Sequence, residues 1–390
     1  MPEGIEEILP GEGEHLERLR RDFIDLFACW GYRLVVPPLI EFLESLLVGT
    51  GCDLDLQTFK LIDQASGRLM GIRADMTPQV ARIDARASRS EVPARLCYIG
   101  TVLHTQVDHL DRSRSPMQVG AELYGHGGNE SDIEVIRLML EMFAIAGITD
   151  VHLDLGHVGI YRGLARQAGL DTEKEAELFT ILQGKARFEL ESFLSDAHIP
   201  APVSEMLRLL LDLTGSIAII EKAKECLAGA DESVRQAIWD LEAIAVKLAA
   251  QFPQLPINFD LAELRGYHYQ TGVVFAAFVP GVGREIARGG RYDDIGRVFG
   301  RARPATGFSS DLRVLQRLSP LDSSIRSEQY RIFAPCNSDP DLHETIRVLR
   351  SKGRTVIQEL PGQSGTAKEM GCALGLRREG SKWIVGPIHH

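Results

Sequence analysis

Hydrophobic residues recur at helical spacing near the start of the chain. Leu16, Leu19 and Phe23 lie three or four positions apart, and this spacing predicts an amphipathic helix over residues 15–30. Gly31 follows the run and is expected to end the helix, because glycine is common just after the last helical turn.

Alternating hydrophobic and polar residues then predict a series of strands. Thr58–Asp63 and Arg68–Arg73 flank a Gln-Ala-Ser-Gly turn, which is typical of a β-hairpin. Two longer strands are predicted at Leu96–His104 and Met117–Tyr124, on either side of a polar segment. The same signal predicts further strands at Val151–His157, Ile257–Leu261, Gly272–Val279 and Glu285–Arg291.

Two later parts of the chain have a different pattern. Residues 172–251 are almost entirely helical in pattern, which predicts a helical insertion. After a polar stretch at 322–328, the pattern alternates between strand and helix. The predicted order there is strand Tyr330–Ala334, helix Leu342–Lys352, strand Thr355–Glu359, helix Thr366–Leu374 and strand Lys382–Val385. We therefore predict an α+β core at 1–321 and a small βαβαβ domain of α/β type at 328–390.

Length and composition narrow the class of protein. The chain has 390 residues, more than one hydrophobic core usually organises. Its 44% hydrophobic and 25% charged residues are typical of a soluble globular protein. The 54 acidic residues exceed the 43 basic residues, for a net charge of −11. This balance disfavours a protein whose main role is to hold a polyanion.

Cysteine spacing and the N-terminal sequence bear on the compartment. The six cysteines are scattered and include no Cys-x-x-Cys pair, so reduced thiols are expected and no metal site is predicted. The N-terminus has neither the basic nor the apolar segment of a signal peptide. No stretch approaches the ~20 apolar residues that a membrane span needs. We expect a cytoplasmic protein.

The stretch Met117–Tyr124 carries the clearest signal for a binding site. As a strand, it places Gln118, Gly120 and Glu122 on one face. Such a face suits the floor of a pocket that forms hydrogen bonds with a small polar ligand, with Glu122 available to a cationic amine. A solvated sheet face is the alternative interpretation.

The segment after the hairpin offers a second candidate. Thr77 precedes Pro78 at a predicted helix start, and an N-cap role would explain that threonine without any ligand. Asp75 has less structural reason to be there. An anionic group near a pocket would complement an α-amino group.

Two glycine-containing runs follow later in the core. In residues 265–272, Arg265 could pair with a carboxylate, while Tyr267 and Tyr269 could flank a planar ring. A structural turn is the competing explanation. Residues 288–294 place an arginine beside paired glycines and could bind phosphate, although they match neither a P-loop nor a Rossmann fingerprint.

At these residues the chain resembles a class II aminoacyl-tRNA synthetase core, and specifically histidyl-tRNA synthetase. Gly31–Pro38 resembles motif 1, which builds the dimer interface in that class, and Tyr98–Gly125 resembles motif 2. Arg265–Tyr269 resembles the histidine-binding signature, and Gly289–Asp294 resembles the Gly-Gly-Arg-Tyr-Asp element. The resemblance covers about residues 10–320 and implies an antiparallel sheet flanked by helices, with a helical insertion.

The departures from the synthetase pattern concern ATP. Where motif 2 has Phe-Arg-x-Glu, this chain has Leu-His-Thr-Gln, so His104 replaces the arginine that grips the α-phosphate, and Gln106 replaces its acidic partner. The terminal arginine of motif 3 falls at Val314, and the adjacent Arg313 is expected to point elsewhere. The loss of both positive charges removes most of what positions and stabilises ATP for adenylyl transfer.

The amino-acid side of the synthetase pocket is retained. The resemblance implies that Gln118, Glu122 and Thr77 match histidine-binding positions, whereas Asp75 replaces a glutamate and Tyr267 departs from the pattern. The complete set of histidine-binding residues that we predict is Asp75, Thr77, Gln118, Glu122, Arg265, Tyr267 and Tyr269.

A chain that keeps the histidine pocket and loses the ATP clamps resembles the regulatory subunit of ATP phosphoribosyltransferase. The resemblance implies a non-catalytic homodimer, without catalytic residues, cofactor or metal, that activates a short-form catalytic subunit in the first step of histidine biosynthesis. It also implies that L-histidine is the effector and exerts feedback inhibition through this subunit. Two alternatives stay open: an active histidyl-tRNA synthetase or divergent class II ligase, and a synthetase-like module that binds tRNA without charging it. The negative net charge disfavours the tRNA-binding alternative.

Overall fold

The structure, a computed structural model, falls into two units. One unit consists of Met1–Glu7 and Leu16–Ser319, and the other consists of Ile8–His15 and Pro320–His390. Within the described part of the chain, no helix is long and apolar enough to cross a membrane. The residues that the structure describes are 2–48, 52–87, 92–106, 113–263, 269–320 and 331–388.

A nine-stranded sheet forms the centre of the first unit. All neighbouring strands in it are antiparallel except two parallel pairs, one at an edge and one near the other edge. This agrees with the predicted antiparallel sheet. From edge to edge the strands are β1 (Arg33–Leu34), β5 (Ala94–Thr101), β6 (Met117–Tyr124), β12 (Ala305–Asp311), β11 (Ala287–Arg291), β10 (Val273–Phe278), β7 (His152–His157), β9 (Ile257–Asp260) and β8 (Thr214–Gly215).

The first helix forms where the hydrophobic spacing predicts it. Helix α1 (Glu12–Cys29) buries Leu19, Phe23 and Phe27 almost completely in the main hydrophobic core. Gly31 follows with φ at +81°, in the left-handed region that glycine adopts without strain, and the chain leaves the helix there.

The predicted hairpin is also present. Strands β3 (Phe59–Ile62) and β4 (Leu69–Ile72) pair antiparallel, and β2 (Ile40–Phe42) completes a separate three-stranded sheet. The Asp63 side chain accepts hydrogen bonds from the backbone N–H groups of Ala65 and Ser66 and so stabilises the turn.

Helices cover the nine-stranded sheet and build the insertion. Five helices and the short strand β8 occupy the part of the chain predicted as a helical insertion. A 3₁₀ helix lies at Ile295–Phe299. The further α-helices up to Ser319 are α2 (Leu43–Leu46), α3 (Cys52–Gln57), α4 (Thr77–Ala87), α5 (Asn129–Ile145), α6 (Val158–Gln167), α7 (Thr172–Gln183), α8 (Arg187–Asp196), α9 (Ala201–Leu210), α10 (Ala218–Cys226), α11 (Glu232–Gln251) and α12 (Leu312–Leu318).

The described residues of the C-terminal unit form a four-stranded sheet and one helix. Ile332, Leu342, Ile346 and Leu376 are among the buried residues of its small core. The elements are β13 (Ile332–Ala334), α13 (Pro340–Ser351), β14 (Val356–Gln358), β15 (Leu374–Glu379) and β16 (Lys382–Pro387), and the strand order is β14-β13-β15-β16.

The predicted βαβαβ order of this unit is wrong in its second half. Thr366–Leu374 does not form a helix, because only turns are present before β15 begins at Leu374. Gly365 and Gly371 adopt φ values of +111° and +68°, and these left-handed residues confine the helical turn between them. The observed order is βαβββ, with β15 and β16 paired as a hairpin.

A buried ion pair joins α4 to the chain just before β12. Arg303 donates to the Asp84 carboxylate at 3.0 Å, and the side chains of Arg303 and Asp84 are only 5% and 4% exposed. We expect Asp84→Ala to lower the free energy of unfolding by about 3–5 kcal/mol, because it removes a buried carboxylate partner from a buried guanidinium. Urea denaturation measures this loss.

The matched control for that substitution is a surface pair. Asp294 pairs with Arg297 at 2.8 Å, but both side chains are largely exposed. Asp294→Ala should leave the midpoint of urea unfolding nearly unchanged. Equal effects of the two substitutions would show that burial does not govern the strength of the Asp84 pair.

Candidate functional site

A cleft of about 1030 Å³ lies over the nine-stranded sheet in the first unit. Strands β6, β11 and β12 contribute to its lining, together with the start of α4 and one side of α7. Five of the predicted site residues line it: Asp75, Thr77, Gln118, Glu122 and Tyr269. The remaining two, Arg265 and Tyr267, lie outside the described residues and stay predictions.

Strand β6 presents the polar face that its alternation predicts. Gln118 and Glu122 both line the cleft. Between them, Gly120 has no side chain because an added Cβ would lie 2.5 Å from the Tyr98 ring and 2.6 Å from the Phe308 carbonyl oxygen. The opposite face of the strand is fully buried through Val119, Ala121 and Leu123.

A hydrogen-bonded corner joins β6 to the start of α4. The Gln118 amide donates to Asp75 Oδ1 at 2.7 Å and accepts from the Met76 backbone N–H at 2.8 Å. Asp75 Oδ1 also accepts from the Thr77 backbone N–H at 3.0 Å. Asp75 therefore stabilises the start of the helix, a role that an N-cap interpretation would give to Thr77. The Thr77 hydroxyl lies 3.0 Å from the Tyr98 hydroxyl.

The Glu122 carboxyl is buried at the floor of the cleft and is 2% exposed. The Tyr98 hydroxyl donates to Glu122 Oε1 at 2.9 Å, and the Tyr292 hydroxyl donates to Oε2. Across the sheet, Gly307 leaves space for this carboxyl, since an added Cβ there would overlap Oε2. The packing thus allows Glu122 only one position.

Burial without a counter-charge changes the acidity of Glu122. Desolvation raises the pKa of its carboxyl to about 8, although hydrogen bonds from Tyr292 and Tyr98 act in the opposite direction. Among the described residues, no cationic side chain forms an ion pair with this group. A cationic ligand would supply the missing positive charge.

Aromatic rings form one wall beside this carboxyl. Tyr269 stacks on Tyr292, with ring centroids 5.1 Å apart and an interplanar angle of 28°. The Tyr269 hydroxyl is buried and has no hydrogen-bond partner among the described residues. A planar ligand with a polar edge could satisfy it.

Sequence reasoning missed Tyr98 and Tyr292 as parts of the site. Both rings are fully buried, and both hydroxyls contact Glu122. Tyr292 lies in the run that the sequence relates to a possible phosphate turn and to the Gly-Gly-Arg-Tyr-Asp element of the synthetase. Tyr98 lies on β5, which pairs with β6, whereas Tyr292 follows β11, which pairs with β12, the other neighbour of β6. A pattern within one strand therefore carried little signal for either tyrosine.

The two positions that the resemblance aligns with ATP-binding arginines of the synthetase, His104 and Val314, carry no permanent positive charge. His104 lines the cleft, and its Nε2 lies 3.0 Å from the Ala74 carbonyl oxygen. Val314 also lines the cleft. Arg313 is buried and donates instead to Ser115 and to the Glu6 carbonyl, in agreement with the expectation that it points elsewhere.

The predicted phosphate role of the Gly-Gly-Arg run is wrong for Arg291. This residue ends strand β11, and its guanidinium is buried against the Asp132 carboxylate at 2.8 Å. Arg291 also donates to backbone carbonyls at His126 and Gly128, so its donors face the core.

The charged residues of the cleft lining are mainly acidic. The described lining contains two arginines, Arg284 and Arg288, and Arg288 lies 3.8 Å from Glu285. Repulsion from several carboxylates disfavours a polyphosphate and favours a cationic ligand. The acidic lining residues are Asp75, Glu122, Asp154, Glu263, Glu285 and Asp311.

The raised pKa of Glu122 predicts a specific pH dependence of stability. In the folded protein this carboxyl keeps its proton to about pH 8, whereas in the unfolded chain it loses it near its ordinary pKa of about 4.3. The contribution of the Glu122 carboxyl to folding stability is therefore fully present below about pH 4 and is lost as the pH rises towards 8. Against Glu122→Gln, wild-type stability should decline by at most ~1.4 kcal/mol per pH unit in that window.

Urea denaturation of both proteins between pH 5 and 9 measures this difference. Glu173→Gln removes an exposed carboxyl on α7 and controls for the loss of one surface charge. A constant difference between wild type and Glu122→Gln across the range would contradict the raised pKa.

Comparisons with known proteins identify the relatives of both units. Residues 4–315 match the family model described as histidyl-tRNA synthetase. Residues 329–386 match the model described as the C-terminal domain of the ATP phosphoribosyltransferase subunit HisZ.

Relatives that match over nearly their whole length share the name ATP phosphoribosyltransferase regulatory subunit. The chain is 62% identical over 388 residues to the ATP phosphoribosyltransferase regulatory subunit of Methylococcus capsulatus, covering 100% of this chain and 96% of the relative. It is 58% identical to the subunit of the same name from Thioalkalivibrio sulfidiphilus, covering 99% and 97%. A solved ATP phosphoribosyltransferase regulatory subunit/histidyl-tRNA synthetase from Bacillus halodurans has a TM-score of 0.82 at 27% identity, and the match covers 95% of each chain. This chain therefore belongs to the family of ATP phosphoribosyltransferase regulatory subunits, on a histidyl-tRNA synthetase-like class II fold.

Proposed function

We propose that this chain is a non-catalytic subunit that activates a short-form ATP phosphoribosyltransferase catalytic subunit and transmits feedback inhibition by L-histidine. The single observation that carries the proposal is the contrast within one cleft. Its histidine-side residues are arranged around Glu122, while the ATP-clamp positions are occupied by His104 and Val314 in place of arginines.

The chemistry of the cleft supports an amino-acid effector with a cationic group and a ring. Asp75, fixed by Gln118, offers a carboxylate to an α-amino group. The buried Glu122 carboxyl offers a counter-charge to a protonated nitrogen. The stacked Tyr269 offers a flat surface to an imidazole ring. Arg265, carried over from the synthetase signature, would pair with the effector carboxylate.

Feedback inhibition places a thermodynamic requirement on this site. Histidine must bind more tightly to the inactive state of the complex than to the active state, since an effector of equal affinity shifts no equilibrium. The synthetase-like pocket satisfies the requirement only if its affinity for histidine differs between these two states of the complex.

A homodimer through the motif 1 segment is part of the proposal. Strand β1 lies at the edge of the nine-stranded sheet, and Leu34 and Val36 beside it are 42% and 80% exposed. Leu39 and Ile40 continue this apolar surface towards β2. An exposed sheet edge with apolar neighbours is the kind of surface that a second copy covers.

Reconstitution with a short-form catalytic subunit tests the main proposal. Activity should rise when this chain is added, and L-histidine should inhibit the complex but not the catalytic subunit alone. Glu122→Gln should weaken histidine binding about 10- to 100-fold, because a hydrogen bond to a charged group contributes about 1.5–3 kcal/mol. Titration calorimetry and inhibition curves give the two affinities.

The control for Glu122→Gln is Gln183→Ala, an exposed position of the cleft lining on α7. This variant should retain wild-type histidine affinity, and both variants should still co-purify with the catalytic subunit. Unchanged inhibition of the Glu122→Gln complex would remove this residue from the effector site. The absence of any heat with histidine would refute the effector assignment itself.

A second assay separates this function from that of a synthetase. With L-histidine, ATP and Mg²⁺, the purified chain should show no histidine-dependent ATP–pyrophosphate exchange, because His104 and Val314 provide no permanent positive charge for the phosphates. A histidyl-tRNA synthetase assayed in parallel provides the positive control. Robust exchange by this chain would overturn the non-catalytic assignment.

A further inference from the structure

The backbone of the N-terminal segment is held by two arginines from distant parts of the first unit. The Arg114 backbone N–H donates to the Gly4 carbonyl at 2.7 Å, and its side chain reaches the Glu3 carbonyl at 3.5 Å. Arg313 donates to the Glu6 carbonyl at 3.2 Å. Carbonyl groups accept all three bonds, so the segment is recognised through its main chain.

Arg313 joins this segment to the chain that enters the cleft. While one nitrogen of its guanidinium binds Glu6, another donates to the carbonyl and hydroxyl oxygens of Ser115 at 3.0 and 3.1 Å. Two residues earlier, Asp311 accepts from the Met117 backbone N–H at 3.0 Å. The start of α12 thereby fixes the residues immediately before the site residue Gln118.

Arg114 makes a second connection to the cleft. Its backbone carbonyl accepts from the His104 N–H at 2.9 Å, and its side chain donates to the His104 carbonyl at 3.0 Å. The His104 ring in turn contacts the carbonyl of Ala74, the residue before Asp75. Both ends of the Asp75–Gln118 hydrogen bond are thus linked to the N-terminal segment.

The same segment continues directly into the other unit of the protein. Residues 8–15 belong to the C-terminal unit, whereas residues 1–7 belong to the unit with the cleft. Within the C-terminal unit, Glu14 lies 3.6 Å from Arg331, next to β13. Only one peptide bond separates the part of the segment in each unit.

We propose that residues 2–7, here called the N-terminal strap, couple the effector cleft to residues 8–15 and through them to the C-terminal unit. The ligand-dependent part of this inference rests on the proposed histidine function. A ligand that fixes Gln118 and Asp75 restrains residues 113–117, and Arg313 passes that restraint to the strap. If the effector changes the affinity of the C-terminal unit for a partner, linkage requires that the partner changes the affinity for the effector by the same factor.

Hydrogen exchange of the full chain, read peptide by peptide with mass spectrometry, tests this coupling without a ligand. Arg313→Ala should raise amide exchange about threefold or more in residues 8–15 as well as in residues 113–118, because local opening of the strap becomes easier. Arg166→Ala, which removes an exposed arginine from α6, is the control and should change neither region.

A second variant covers the case in which Arg313→Ala does not fold. Deletion of residues 2–6 removes the carbonyl acceptors and leaves every core side chain in place; it should give the same exchange pattern. Unchanged exchange in residues 8–15 in the folded variants would overturn the coupling.

Addition of L-histidine separates the coupling from the effector assignment. In wild type, histidine should slow exchange in residues 118–124 and in residues 8–15; in Arg313→Ala, only residues 118–124 should respond. A response of residues 8–15 that survives in Arg313→Ala would overturn the strap as its route. The absence of any histidine response in wild type would refute both the effector assignment and the ligand-dependent coupling. The comparison of wild type with Arg313→Ala without ligand would still decide whether the strap couples the two units.

Discussion

The arrangement of the cleft depends on one buried carboxyl group, which has no cationic partner among the residues that the structure describes. Glu122 keeps its position because Tyr98 and Tyr292 donate to its two oxygens, and because Gly120 and Gly307 leave the space that these groups occupy. Burial of a carboxylate is costly, so desolvation favours the protonated acid. In the proposed function, a ligand that brings its own positive charge removes that cost, which would make the cleft selective by electrostatics as well as by shape.

The histidyl-tRNA synthetase-like fold is shared by this chain and its regulatory-subunit relatives. The match to the histidyl-tRNA synthetase family extends over residues 4–315, so the class II architecture is retained. Within it, the resemblance aligns His104 and Val314 with ATP-binding arginines of the synthetase, and Arg313 donates to Ser115 and Glu6. A shared architecture does not determine function by itself, so the residues of the site must carry the functional argument.

Prediction from sequence succeeded where the deciding interactions are local. Helix α1 and the β3–β4 hairpin follow directly from residue spacing and turn residues. The polar face of β6 follows from simple alternation. The prediction of a second helix in the C-terminal unit was wrong, because Gly365 and Gly371 adopt left-handed conformations on either side of a short turn.

Alternation along β6 is enough to predict which of its side chains share one face, and residue identity alone shows that positions 104 and 314 are not arginines. The tertiary structure alone decided that Tyr98 and Tyr292 meet at Glu122, and that Arg291 serves the core by pairing with Asp132. The physical reason is distance along the chain: strand alternation acts over two residues, whereas Tyr292 reaches Glu122 across 170 residues through the pairing of three strands. This strand pairing depends on burial of the whole sheet, so it cannot be predicted from the pattern of any single segment.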